Sequence, residues 1–244
     1  MQASRPQPAV TATVRPPDAR FARRVFAVFA ALAIVSLGLA AAAKWSGALL
    51  ASGGHTTATA RHEIVIGNDV LAVPANAIRF AAARRDGEAE RLDLYLDWPA
   101  LEGYREPARA VFNHRDDGGA LLFLTFEPRM MSRDMSGRLA PIYRHLIAPQ
   151  AVDGPAGLAV HAFRPTAGYS DEVLVIGERA GRPAFVARCL TGAAGRESLA
   201  PCQRDLHVGR DLSLVYRFPA GLLRDWRSLD SGVEARARGF LREP

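Results

Sequence analysis

The chain has 244 residues, 49% of them hydrophobic and 23% charged, with a net charge of +6. Those fractions belong to a folded globular protein and exclude an intrinsically disordered one. Residues 1–44 hold six bases and one acid, so residues 45–244 are left at only +1, which gives no support to nucleic-acid binding.

Residues 1–24 carry Pro6, Pro8, Pro16 and Pro17 without apolar periodicity, and read as a disordered tail. Residues 25–43, VFAVFAALAIVSLGLAAAA, contain no charged side chain. Nineteen helical residues at about 1.5 Å each reach roughly 28 Å, close to the hydrocarbon thickness of a bilayer. The run is apolar all round, so a transmembrane helix is expected over 25–43, with the lipid bilayer as its partner. Arg5, Arg15, Arg20, Arg23 and Arg24 precede it, and after Lys44 no base occurs until Arg61. Positive charge stays inside, which puts the N-terminus in the cytoplasm and the rest of the chain outside it, as in a single-pass protein of a bacterial inner membrane. Arg23-Arg24-Val25-Phe26 followed by Ala41-Ala42-Ala43 also allows a cleaved export signal; the length of the run favours a retained anchor.

Residues 44–61 are small and polar with a Gly-Gly pair, the composition of a flexible tether in which His55 is solvated. A globular domain is expected over 62–244. HEIVIGNDVLAVP has two β-branched runs about Gly67-Asn68-Asp69, which is hairpin chemistry. RLDLYLDW alternates, with Leu92, Leu94, Leu96 and Trp98 on one face and Asp93, Tyr95 and Asp97 on a solvent face. The GNDVLAVPANAIRF and RLDLYLDW segments resemble single-pass membrane-anchored bacterial proteins of unknown function. That resemblance covers about a third of the domain and implies no activity and no site residues.

Asp116-Asp117-Gly118-Gly119 predicts a turn before the apolar strand ALLFLTFEP. From Arg129 to Ile147 the spacing of Met131, Met135, Leu139, Ile142 and Leu146 predicts a mid-chain helix, kinked or divided at Pro141. GLAVHAFRP, DEVLVIGE, PAFVARCL, CQRDLHVG and LSLVYRF follow as strands. Leu222, Trp226, Leu229, Val233 and Phe240 then predict an amphipathic C-terminal helix, with a break allowed at Ser231-Gly232. Strands before and after a helix, with a helix at the end, argue for an α+β fold with a mainly antiparallel sheet.

Chemistry-bearing residues are few. Cys189 and Cys202 flank a Gly- and Pro-containing turn in the exported part, where a disulfide is favoured over two buried thiols. Neither a redox CxxC nor a haem CxxCH is present. Met130, Met131 and Met135 suit core packing better than Cu(I). The six histidines are scattered, and no GxSxG, Walker, HExxH or EF-hand pattern occurs. Asp93 and Asp97 share a strand face, where solvation is the ordinary state of a carboxylate. Glu127-Pro128-Arg129 with Arg133 and Asp134 reads as local ion pairing and capping. No catalytic residue, cofactor or metal is assigned. The expectation is a non-enzymatic envelope protein contacting another membrane or envelope protein, with an exported ligand-binding sensor, or a carboxylate hydrolase, as alternatives.

Overall fold

The computed structural model describes residues 19–51, 54–114 and 120–242; for 19, 21, 22, 25 and 40–51 only the backbone path is described. The tail over 1–18 and the Asp116–Gly119 turn therefore lie outside the described residues. Two separate units emerge, one ending at Ser52 and one starting at Gly53.

The first unit is helix α1, Ala19–Ala51, which extends past both ends of the 25–43 run. Its large described side chains from Phe26 to Leu39 are apolar and exposed: Phe26, Phe29, Ile34 and Leu37 are each at least two-thirds exposed. Among the described residues, no helix is long and apolar enough to cross a membrane. Val25 and residues 40–43, which complete the expected span, have no described side chains.

The second unit is the expected α+β domain with an antiparallel sheet and a C-terminal helix. It begins with the hairpin β1 (Arg61–Ile66) and β2 (Asp69–Pro74), followed by β3 (Gly87–Glu88) alongside β1 and β4 (Leu92–Trp98). The short helix α2 (Arg109–Phe112) precedes β5 (Ala120–Pro128), and α3 (Arg144–Leu146) precedes β6 (Ile147–Asp153). Then come β7 (Ala159–Phe163), β8 (Glu172–Gly177) and β9 (Phe185–Leu190). Helix α4 (Gly192–Glu197) links β9 to β10 (Cys202–Val208), and β11 (Leu212–Phe218) leads to α5 (Trp226–Arg238). The large sheet has the order β4-β5-β11-β10-β9-β8-β7-β6, antiparallel throughout, and a second sheet has the order β2-β1-β3.

One face of the large sheet is sealed. Leu94, Leu124, Leu214 and Leu206 point toward α5, whose Trp226, Leu229, Val233 and Ala237 are fully buried. Each such aliphatic or aromatic side chain contributes about 1.5–3 kcal/mol by leaving water. Ile64, Ile66, Leu71 and Val73 of the hairpin join the same core. Gly177 is glycine for a steric reason: a Cβ there would lie 2.8 Å from Trp226 and from Leu158. The hairpin also clasps the far end of the sheet. Asp69, buried at its turn, accepts backbone N–H groups of Arg210 at 2.9 Å and Asp211 at 2.9 Å.

Two points that the sequence leaves open are resolved. The mid-chain helix is not continuous: the chain bends through Asp134–Gly137, makes one wide π-helical turn over Leu139–Tyr143 and ends in α3. Pro141 lacks the N–H that a regular helix would use there. Met135, Leu139, Tyr143 and Ile147 are the buried members, while Met131 is half exposed. The C-terminal segment, by contrast, is unbroken at Ser231-Gly232, although its first turn, Ala220–Asp225, is a 3-10 helix.

Candidate functional site

The opposite face of the large sheet is only partly covered, and it holds the polar side chains that alternate with the core leucines. Strand register sets them in rows. Tyr95, Phe123, Arg217, Gln203 and Arg188 form one row across β4, β5, β11, β10 and β9. Asp93, Thr125, Val215 and Asp205 form the next. At the β4 end, Tyr104, Ala108 and Phe112 close over Tyr95 and Leu121. At the β8–β9 end, Met135, Leu139 and Tyr143 close over Leu174 and Val186. A trough remains between these two covers.

Two adjoining cavities occupy the trough. The first, of about 300 Å³, has Arg79, Arg91, Asp93 and Arg217 around it, Phe123 and Leu124 as its floor, and Ser198–Ala200 as a wall. Asp93 accepts from Arg91 at 2.7 and 3.1 Å and from the Thr125 hydroxyl at 2.7 Å. The wall belongs to the loop between β9 and β10. Cys189 and Cys202, directly opposite in the register, are joined by a disulfide at the base of that loop, with Cα atoms 4.0 Å apart. The expected pairing is thus present, and it fixes one side of the cavity.

The second cavity, of about 270 Å³, lies over β11, β10 and β9 and is lined by Tyr143, Tyr169, Met131, Arg188, Arg138 and Asp205. Arg138 donates to Asp205, and Arg188 lies 5.0 Å from the Tyr169 ring centroid. Burial raises the Asp205 carboxyl above its ordinary range, and Arg138 opposes that rise. Beneath this cavity β9 and β10 part after their two paired positions, and Arg204 fills the gap. Arg204 donates to Asp230 of α5 at 2.8 Å, to the Val186 carbonyl at 3.0 Å and to the Ser136 hydroxyl at 3.0 Å. Asp230 also accepts from Arg179 and from the Tyr216 hydroxyl, each at 2.7 Å. Burial, with the Asp230 charge adding to it, holds the Tyr216 hydroxyl well above the ordinary phenol range, so it stays a proton donor. Both arginines of this node share the one Asp230 carboxylate, and every charge in it is hydrogen-bonded, as buried charges must be.

The residues singled out in the sequence fall in different places. Asp93 and Asp97 do share the outer face, yet Asp97 is buried rather than solvated. It accepts from Arg105 at 2.6 Å and from the Glu102 N–H at 3.1 Å. Each carboxylate is bound to its own arginine. Asp134 caps the bend after β5 through the Gly137 N–H at 2.9 Å, the role expected for that charge cluster. His55 is not solvated. It stacks on Tyr104 with centroids 4.7 Å apart, its Nδ1 is 2.9 Å from the Tyr95 hydroxyl, and the Phe112 ring stands edge-on to it. Residues 54–60 are fastened alongside it. Asn76 N–H donates to the Ala58 carbonyl and Ala75 N–H to that of Ala60, both at 2.9 Å, while Arg84 donates to Gly54 at 2.7 Å. Among the described residues, no group of three or more His, Cys, Asp or Glu side chains is placed to hold a metal ion. Arg79 and Arg217, the arginines over the first cavity, carried no sequence signal beyond the outward phase of Arg217 in LSLVYRF.

No family model and no curated protein matches the chain. Two solved structures are similar to it. One is Smlt3025, an immunity protein of the Stenotrophomonas maltophilia type IV secretion system, with a TM-score of 0.51 and 13% identity over 78% of this chain and 96% of that one. The other is the Neisseria meningitidis iron-regulated outer membrane lipoprotein FrpD, with a TM-score of 0.44 and 10% identity over 76% of this chain and 94% of that one. At such identities the first likeness concerns the fold alone.

Proposed function

We propose that this chain is an envelope protein anchored through residues 25–43, whose α+β domain lies outside the cytoplasm and works as a non-enzymatic interaction module. The observation that carries the reading is the asymmetry of the large sheet. One face is sealed by α5 and the hairpin; the other keeps a polar, arginine-bearing trough between two covers. A trough built on paired strands is a rigid platform for a partner, and a partner surface of that kind has aromatic and arginine residues at its centre. The anchor is supported by the uncharged run, the arginines before it and the outward apolar side chains of α1. The disulfide is in line with an oxidising compartment. An immunity protein acts by binding, and the fold shared with Smlt3025 is in keeping with that mode of action.

The test has two arms. A reporter active only outside the cytoplasm, fused after Pro244, gives signal; activity of a cytoplasm-only reporter there overturns the topology. A photo-crosslinking amino acid at Val215 or Gln203 in the full-length protein gives a defined adduct with one envelope protein in cells. Absence of any adduct from outer-face positions, or the same adducts from a position on α5, overturns the interaction reading.

A second reading has its own observation. Tyr143 and Tyr169, with Arg138, Arg188 and Asp205 converging on the second cavity, have the form of a small-ligand pocket: apolar walls and a few fixed polar groups. A sensor domain would use that cavity. Its mark is a small molecule whose binding is lost in Tyr169→Ala while the Val215 crosslink persists.

A further inference from the structure

Most arginines of the outer face are answered by an acid: Arg91 by Asp93, Arg105 by Asp97, Arg138 by Asp205 and Arg188 by Glu172. Two are not. Among the described residues, Arg217 makes no hydrogen bond or ion pair, and the Arg79 guanidinium meets only the rings of Phe80 and Phe123, at 5.1 and 4.9 Å from their centroids. Both stand over the first cavity, whose one carboxylate, Asp93, is already bound to Arg91. The cavity thus keeps two positive charges in excess. Its hydroxyl at Ser198 makes no hydrogen bond among the described residues, and the adjacent Leu199 is 54% exposed. Cation, open hydroxyl, flat aromatic floor and exposed leucine meet at one place, on a wall held by the Cys189–Cys202 bond.

We propose that this cavity takes a side-chain carboxylate from an acidic segment of a partner protein. Arg217 and Arg79 supply the fork, and an apolar neighbour of that carboxylate packs on Leu199 and Phe123. Guanidinium groups match a carboxylate in two parallel hydrogen bonds, which gives direction as well as strength. The occupant is a chain segment rather than a free ion because the cavity is one end of a continuous face. Thr125 and Arg217 pair directly with Val215 and Gln203 of the second cavity, one strand spacing of roughly 5 Å away. Met130 and Met131 stand exposed at its rim. The inference rests on the reading of this face as an interaction surface and names the chemistry of what it meets.

The full-length protein in detergent micelles is titrated with two pools of fluorescent octapeptides. One has Asp or Glu fixed beside Leu, and the other has Asn or Gln in its place. The acidic pool binds at least tenfold more tightly, its affinity falls as salt rises, and R79Q/R217Q removes at least tenfold while Arg85→Gln leaves it unchanged. Equal binding of the two pools, or an unchanged acidic affinity in R79Q/R217Q, overturns the proposal. Inorganic phosphate, added as competitor, displaces the peptide only at far higher concentration. Displacement at matching concentration assigns the cavity to small oxyanions and overturns it too. If the Val215 crosslink to an envelope protein persists while both pools fail alike, the acidic-segment proposal falls and the interaction surface stands. Loss of the crosslink alone has the opposite meaning.

Discussion

The two faces of the large sheet use arginine in opposite ways. On the sealed face Arg204 is 2% exposed, and its donors are engaged by Asp230, Ser136 and a strand carbonyl. On the open face Arg217 has no acid at all among the described residues. The first arrangement cannot tolerate loss of a partner; the second has a partner still to come. Charge buried with its counter-charge specifies a fold, whereas charge left without one on a rigid platform specifies an encounter.

Substitutions can press on this contrast in decreasing order of effect. Asp230→Ala leaves Arg204 and Arg179 without their carboxylate inside the domain, and should cost about 3–5 kcal/mol. Denaturant unfolding of the full-length protein would show it as a lower midpoint at unchanged slope. A loss below about 1 kcal/mol would mean the node is not the keystone of the sealed face. Replacing Cys189 and Cys202 with Ser should cost about 3 kcal/mol, the chain-entropy value for a loop of this length, and should also loosen the Ser198–Ala200 wall. Protease sensitivity confined to the β9–β10 loop of the double variant checks the second part. Arg79→Gln with Arg217→Gln should leave the unfolding free energy within about 1 kcal/mol of the parent, because Arg217 has no ion pair among the described residues and Arg79 has only exposed ring contacts. A large loss there would move those arginines from the open face into the scaffold.

A smaller effect concerns the strap at residues 54–60. Burial, then Arg84 and His114, lower the His55 pKa from the ordinary 6.5, so the folded state binds this proton less readily than the unfolded chain. The linked stability is present above pH 6.5 and is lost as the pH falls through the depressed folded value. The protection factor of the Asn76 amide, bonded to Ala58, should fall on acidification once the intrinsic slowing of exchange is divided out, and His55→Phe should remove that dependence. A protection factor at Asn76 that ignores pH would show the aromatic stacking, not the neutral imidazole, to be what holds the strap.

Regular alternation made much of this readable in advance. LDLYLDW, CQRDLHV and LSLVYRF repeat every two residues because one face of each meets α5 and the hairpin. IAPQAVD, which forms β6, offered no such signal: it is an edge strand exposed along most of its length. The mid-chain stripe was in phase at Met135 and Leu139 and slipped by one residue after them. Its buried residues are four apart at Met135, Leu139, Tyr143 and Ile147, and the π-helical turn lets Tyr143, rather than Ile142, face the core. The trough was unreadable for a different reason. Arg79, Asp93, Phe123, Leu199 and Arg217 come from five separated stretches, and only the strand register brings them together. His55 sits among small polar residues, and the ring it stacks on, Tyr104, lies far along the chain.

The clasp between the hairpin and the end of the domain bears on the order in which the chain can fold. Ala72 donates to the Phe240 carbonyl and Arg242 to that of Val70, while Asp69 holds the β10–β11 turn. The earliest strands of the domain pair with each other at once, yet their remaining bonds close only with its latest segments. As the chain emerges, whether from a ribosome or through a membrane, the core that takes the Ile64, Ile66, Leu71 and Val73 side chains stays incomplete until α5 has followed them. Contacts of such long sequence separation close slowly. The hairpin is a waiting template, exposed to chaperones and proteases for nearly the whole time that the domain is being delivered.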